Sequence, residues 1–339
     1  MNNYKKLKRL LCAFLIYLGY QTTADGQSKA AVKNDAAAFC ETTIEGLNRP
    51  KGLIIREELI SSHRISSFQQ GNSQKFGKVQ QTRRREIKLK APLWNSPGFK
   101  LAIGFKYKVE DVFFNETNAY SSEFYNDLEG KNLNQLGVSL YAIKPLRGNT
   151  YLLLRASASL NGDYSKQNAP TGDYLKYSLA PMIGWRINDF TTYAVGLAYS
   201  ENFGRISVFP LLSFNKTFND RWGTEILLPL HVKLRYNTPN KKNFIYLKSE
   251  VKGSTYNVSF KSGKMGYLNN TEIRHLISYE REIYDFLWVG VEAGLRSTLN
   301  FSLSETADHK NSVVIENRLN QSFFTGFSIF IVPPRKFGH

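Results

Sequence analysis

The run Phe99-Lys100-Leu101-Ala102-Ile103-Gly104-Phe105-Lys106-Tyr107-Lys108-Val109-Glu110 alternates without a break. Phe99, Leu101, Ile103, Phe105, Tyr107 and Val109 fall on one side, and Lys100, Ala102, Gly104, Lys106, Lys108 and Glu110 on the other. Successive side chains of a strand point to opposite faces, whereas a helix brings together residues three and four apart. The run is therefore a strand with one apolar and one polar face. Trp222 to Tyr236 and Leu287 to Phe301 repeat the pattern, the second with Gly290, Glu292, Gly294, Arg296, Thr298 and Asn300 on its polar side.

Weaker versions of the same alternation fall near 53–66, 84–94, 132–145, 150–162, 174–187, 191–202, 205–218, 243–260, 270–284 and 321–332. Short turn signatures join several pairs: Asn95-Ser96-Pro97-Gly98, Arg147-Gly148-Asn149, Asn188-Asp189, Asn219-Asp220 and Tyr284-Asp285. Longer polar stretches join others, namely 69–81, 111–131, 161–173 and 302–319. Short turns at one end and long loops at the other describe a meander barrel that crosses a membrane. In 243–260 the apolar parity changes around Lys252-Gly253-Ser254, which predicts a bulge or a tight turn.

Length decides between a soluble and a spanning barrel. Soluble strands average about 5–6 residues, and a tilted spanning strand needs roughly 9–11. Most segments here reach the second figure. The expected fold is all-β, a transmembrane antiparallel up-and-down barrel over residues 53–332. Such barrels have even strand numbers, so about 12 strands are expected within a range of about 12–14. A secreted β-sandwich is the alternative, and a β-helix is opposed by the lack of any fixed repeat. Tyr151, Tyr174, Tyr193, Tyr199, Trp222 and Tyr236 lie near strand ends, where an interfacial girdle is expected.

The composition agrees. The 339 residues are 42% hydrophobic with 23 Phe, 19 Tyr and 24 Gly, yet the mean hydropathy is only −0.36. The longest nearly apolar run is Leu10 to Tyr20, short of the roughly 20 residues of a spanning helix. That run follows Lys5, Lys6, Lys8 and Arg9 and precedes a polar segment, the layout of a secretory signal peptide. Cleavage is expected after Ala24 or, preferably, after Gly26, so residues 1–26 form the signal, 27–52 a lead segment and 333–339 a tail. Residues 1–24 carry four of the basic residues behind the net charge of +17. Cys40 is then the one cysteine left, so no internal disulfide is expected.

The segments Phe209-Pro210-Leu211-Leu212-Ser213-Phe214-Asn215 and Trp222-Gly223-Thr224-Glu225-Ile226-Leu227-Leu228-Pro229, together with the signal and the meander, resemble an uncharacterised family of outer-membrane β-barrels found in Bacteroidota. The resemblance covers most of residues 50–332. It implies an address in the bacterial outer membrane and insertion by the barrel-assembly machinery, and it transfers no functional residue. Many such proteins end on an aromatic residue of the last strand. This chain instead runs past Val332 into Pro333-Pro334-Arg335-Lys336-Phe337-Gly338-His339.

The polar face is expected to line a lumen. Its charged members include Lys100, Lys106, Arg155, Arg186, Glu225, Lys233, Arg235, Glu272, Arg274, Glu292 and Arg296. Mixed charges around a lumen set ion preference, or they pair across strands and fill it. The basic surplus points to a small pore that prefers anions. A plugged barrel that presents its loops to surface partners is the alternative, with the aromatic residues of 111–131 as contacts. Arg83-Arg84-Arg85 is the sole hint of nucleic acid, and no recognition motif accompanies it. Outer-membrane lipids and the phosphates of lipopolysaccharide are the expected partners of loop Lys and Arg. The His residues, His63, His231, His275, His309 and His339, fall in no catalytic or metal-binding motif, and His275 shares the parity of the apolar Ile273 and Ile277. A lipid-modifying enzyme is the third and least favoured class. No enzyme, cofactor or metal is expected.

Overall fold

The computed structural model describes residues 44–69, 75–115, 128, 130–164, 172–203, 206–259, 265–306 and 313–334. The first half of the wall is β1 (Leu53–Ile60), β2 (His63–Gln69), β3 (Lys75–Ser96), β4 (Phe99–Asn115), β5 (Asn132–Pro145), β6 (Thr150–Gly162), β7 (Leu175–Asn188) and β8 (Thr191–Ser200). The second half is β9 (Ser207–Thr217), β10 (Trp222–Leu228), β11 (His231–Asn237), β12 (Asn243–Ser259), β13 (Met265–Tyr284), β14 (Leu287–Ser304), β15 (Val313–Leu319) and β16 (Ser322–Ile331). Neighbours around the wall are antiparallel, and the sheet closes where β1 meets β16 (Leu53↔Ile331 to Ile60↔Phe324) and β2 meets β15. β1 and β2 are two halves of one wall position because both pair with β3, and β15 and β16 both pair with β14. The barrel therefore has 14 strands rather than the 12 preferred from sequence.

One miscount has a clear cause. Trp222 to Tyr236 reads as a single strand but is the hairpin β10–β11, turned at Pro229-Leu230. Ile226 opposes Val232 and Leu228 lies next to the turn, so partners share parity and the alternation runs through the reversal unbroken. Pro229 has no N–H to give to a ladder, and the Leu230 N–H closes the turn on Leu227 O at 2.7 Å. The loop stretches were also drawn too long. Lys75–Gln81, Asp111–Asn115, Ser302–Ser304 and Val313–Leu319 all belong to strands.

The outward face carries a belt of exposed apolar side chains, among them Leu89, Ile103, Phe105, Val138, Leu197, Leu212, Leu247, Ile277, Val291 and Phe327. Such a continuous exposed apolar surface is the signature of a lipid-facing wall. Tyr193, Trp222 and Tyr236 sit on this face, Tyr193 stacked on Trp185 and Trp222 packed on Tyr236 with ring centroids 5.0 and 4.9 Å apart. Tyr151 and Tyr174 do not join the girdle. Both are buried inside, and the Tyr151 hydroxyl meets Thr192 Oγ1 at 2.8 Å.

The interior is layered. At the end with the short turns lies an aromatic cluster of Phe244, Tyr246, Trp288 and Phe330 with Val332. Charges occupy the middle. At the loop end Ile65, Val79, Val112, Phe114, Leu133, Tyr256, Val258, Leu268, Phe301, Leu303 and Ile315 fill the interior as an apolar plug. This layering explains the parity change in 243–260. β12 keeps one register with β13 throughout, without a bulge. Ile245 and Leu247 are apolar because they face outward, and Tyr256 and Val258 because they face the plug. A real bulge sits instead in β14, where Leu299 is the extra residue between the pairs Glu272↔Thr298 and Thr271↔Asn300. It moves Asn300 off the inward face and turns Phe301 and Leu303 into the plug.

The wall is uneven at the loop end. The β10–β11 hairpin stops at Leu228–His231, while β12 continues for nine residues beyond its pairing with His231 at Glu250. The exposed edge is closed from across the barrel. Asn257 pairs in parallel with Gly162 of β6, Asp163 N–H donates to Asn257 O at 3.1 Å, and Asn161 Nδ2 donates to Thr255 O at 3.2 Å. A Cβ on Gly162 would lie 2.3 Å from the Tyr174 ring and 2.4 Å from Asn257 O, so only glycine allows this approach.

Candidate functional site

The lumen is lined differently on its two sides. On β5 to β8 many of the inward residues are small, among them Gly137, Ser139, Ser157, Ser159, Ser178, Ala194 and Ala198, with Arg155 of β6 as a charged exception. On β1, β3, β4 and β12 to β14 they are long and charged. A space remains between the two sides, and the charged side is tied together by ion pairs.

Glu272 is the hub. Its carboxylate accepts from Arg84 Nη1 and Nη2 at 2.6 and 3.0 Å and from Arg296 Nε at 2.6 Å. Arg84 also reaches Glu110 at 2.9 Å and Glu58 at 3.3 Å. Arg274 joins Glu58 at 2.7 Å and lies 3.8 Å over the Phe324 ring, and Arg56 bridges Glu58 and Glu292. The side chains of Arg84, Glu58, Glu110, Glu272, Arg274 and Arg296 are all less than a tenth exposed. Buried charges persist only when paired and hydrogen-bonded, and here each has at least one partner, Arg296 on Glu272 and the others on two or more.

Toward β4 and β6 the pairing thins. Lys106 contacts Gln135 Oε1 at 2.8 Å and Glu86 at 3.5 Å, and Lys88 contacts Glu86 at 2.7 Å. Arg155 has only the Tyr141 ring, 5.4 Å away, among the described residues. Two cavities meet here, of about 430 and 400 Å³, and Lys88, Lys106 and Arg155 line both. The first is further lined by Lys108, His231, Glu250 and Lys252.

Residues 47–52 form the floor of the second cavity, and 44–46 continue the segment, a role the sequence did not indicate for the end of the lead segment. They cross the turn end from one side of the wall to the other. Glu45 N–H donates to Asp189 O at 2.8 Å, Thr217 Oγ1 to Glu45 O at 2.5 Å and Asn237 Nδ2 to Gly46 O at 2.9 Å. Further along, Asn48 and Lys51 hold Glu280 at 3.1 and 2.6 Å, and Arg49 holds Asp285 Oδ1 at 3.1 Å and Pro333 O at 2.7 Å. Leu47, Asn48 and Arg49 thus line the cavity from the turn end.

Of the residues expected in the lumen, Lys106, Arg155, Glu225, Lys233, Arg235, Glu272, Arg274, Glu292 and Arg296 are there. Glu225 pairs with Lys233 at 3.1 Å and Arg235 at 3.4 Å, away from the Glu272 hub. Lys100 stands on the inward side of β4 at the turn end, opposite Ile143. Arg186 stands near the end of β7, opposite Thr192, and pairs with the exposed Asp189 of the turn at 3.0 Å. Sequence reading missed the central Arg56 and Glu58, because both faces of 53–66 are mixed. It also missed Arg84, hidden in the basic triplet. That triplet divides: Arg84 turns inward, and Arg83 and Arg85 turn outward to Glu57 and Asp111.

His275 is exposed on the outward face, as its parity predicts. Ser249, rather than Ser278 or Ser297, stands directly opposite it, flanked by Val251 and Leu247, and no hydrogen bond joins the two. His63 is buried with Nδ1 2.9 Å from Ser61 O. His309 and His339 lie outside the described residues, as do the signal segment and Tyr120, Phe124 and Tyr125.

No protein of curated function matches the chain in sequence. Among solved structures, the chain is similar to the KdgM porin in complex with oligogalacturonate, at 10% identity and a TM-score of 0.33 over 81% of this chain and 99% of that one. An outer membrane channel from Pseudomonas putida F1 matches at 10% identity and a TM-score of 0.37 over 85% and 98%. Outer membrane phospholipase A from Escherichia coli matches at 9% identity and a TM-score of 0.34 over 89% and 98%. No residue role is carried over from them. Residues 109–329, from the middle of β4 to the last strand, match the family described as a domain of unknown function, DUF6268, and the chain belongs to that family.

Proposed function

We propose that this chain is an integral outer-membrane barrel that admits small solutes, anions in preference, through a lumen narrowed by an apolar plug at its outer end. The observation that supports this reading is the pair of adjoining cavities, about 430 and 400 Å³, that share Lys88, Lys106 and Arg155. Rings of fixed charge select ions by sign, and the basic groups outnumber the acidic ones where the cavities meet. In this reading residues 1–26 are removed on export, the barrel-assembly machinery inserts the wall, and the long loops face outward with the short turns in the periplasm. The resemblance to Bacteroidota barrels supports a Gram-negative source. No hydrolytic step is assigned, because His275 and Ser249 make no hydrogen bond and Leu247, Ile273 and Ile277 surround them.

Conductance across a planar bilayer tests the proposal. Refolded protein is expected to show steps whose reversal potential in a KCl gradient has the sign of chloride permeability. Folded, inserted protein that never conducts at any voltage overturns it. That result would favour the second reading, a closed barrel that serves as a structural or surface-interaction protein, for which the buried Glu272 network is the supporting observation.

A further inference from the structure

Arg64 of β2 and Lys78 of β3 are directly opposed on the outward face near the loop end, and both are exposed. Directly opposed residues have Cβ atoms about 4.5–5.5 Å apart, and like charges there repel. Neither residue has an ion-pair partner among the described residues. Arg318 of β15 joins them, since it pairs with Ser66, two residues along from Arg64. Its guanidinium lies 4.9 Å from the Phe68 ring, and its one carboxylate contact is Glu316 at 3.7 Å, both side chains more than half exposed. Arrangements of this kind are stable when an anion sits between the cations.

What lies below the cluster identifies the anion. Descending the same wall, the outward positions next hold the pairs Arg83–Glu57 and Arg85–Asp111. Phe327 stands opposite Glu57, and below these come the exposed apolar residues Ile55, Ile87, Leu89 and Ile329. A ligand that fills this surface has acyl chains below and negative headgroups at the level of Arg64 and Lys78. The exposed Phe76, on the same strand, gives the headgroup level an apolar contact.

We propose that Arg64, Lys78 and Arg318 bind the phosphates of a phosphorylated glycolipid of the outer leaflet, whose acyl chains lie along β1, β3 and β16. The proposal rests on the reading of the chain as an outer-membrane barrel with its loops outward. A Lys or Arg near an anionic membrane surface contributes about 1 kcal/mol, or about fivefold in affinity. Losing two is worth about 25-fold.

The test uses the full-length barrel in neutral detergent and measures binding of fluorescent phosphorylated lipid A. The double variant Arg64→Gln/Lys78→Gln is expected to bind about 25-fold more weakly. The turn-end control Arg281→Gln is expected to change affinity less than twofold, and dephosphorylated lipid A to bind the native barrel as weakly as lipid A binds the double variant. Equal binding by the double variant overturns the site. Equal or tighter binding of phosphatidylglycerol overturns the glycolipid, and displacement by millimolar inorganic phosphate overturns a lipid ligand in favour of free phosphate. Heat-modifiable migration and recovery in outer-membrane fractions are scored on the same native protein. Their loss marks failure of the barrel reading, whereas a correctly inserted barrel indifferent to lipid phosphate marks failure of this site alone.

Discussion

Glu272 takes both terminal nitrogens of Arg84, a residue 188 positions earlier in the chain, at 2.6 and 3.0 Å. The pair links β13 to β3 through the middle of the lumen. It spans the closing seam, where β1 meets β16, from inside.

Glu272→Gln leaves Arg84 and Arg296 facing each other without their shared carboxylate. Removing one partner of a buried pair costs about 3–5 kcal/mol. Urea unfolding in lipid vesicles is expected to show a loss of that size. The companion change Arg296→Met, made on top of it, is expected to restore part of the loss by removing the charge that Glu272 had paired.

Charge reversal at the junction of the cavities acts on selectivity rather than stability. Lys106→Glu with Arg155→Glu replaces two cations where both cavities narrow together. The reversal potential in a KCl gradient is expected to change sign toward potassium. An unchanged potential would place the conducting path elsewhere.

The strap across the turn end is held by Asn48, Arg49 and Lys51, on Glu280, Asp285 and Pro333. Deleting residues 44–51 removes these bonds and most of the cavity floor. Single-channel conductance is expected to rise severalfold, and small thiol reagents applied from the turn side are expected to reach a cysteine introduced at Ser139.

Phe301 and Tyr256 belong to the apolar plug at the loop end. Phe301→Ala in a packed interior costs about 3–5 kcal/mol, and it removes an aromatic side chain from the plug. Lower thermal stability and higher conductance should appear together. A stability loss with unchanged conductance would show that the plug is not the outer barrier.

The wall was legible in the sequence because alternation reports which side chains face outward. Phe105 and Lys106 were separated correctly, and so were Ile277 and Glu280. Three features were hidden for physical reasons. A turn whose flanking partners keep equal parity, as at Leu228–His231, leaves no mark on a period of two. An apolar lumen, as around Val258, imitates an outward face one residue out of step. The strap at 44–52 is an irregular segment held mostly through backbone carbonyls and polar tips, so no periodic pattern announces it. The lumen's composition could be read, but its connectivity could not. Nothing local says that Arg84, rather than Arg83 or Arg85, belongs to Glu272.

The union of β6 with β12 bears on how the molecule is built. Nearly every other wall contact joins segments that follow one another in the chain, so the barrel can grow one hairpin at a time. The bond from Asn161 to Thr255 spans 94 positions. It cannot form until five intervening strands have been laid down, and once formed it locks them as a side loop of the main ring. The loop-end half of the ring then runs from β12 through the seam to β6 and skips β7 to β11. Biogenesis therefore has two closures to complete, one along the seam and one at Gly162. A nascent barrel stalled before the second would present the unprotected edge of β12 to other chains.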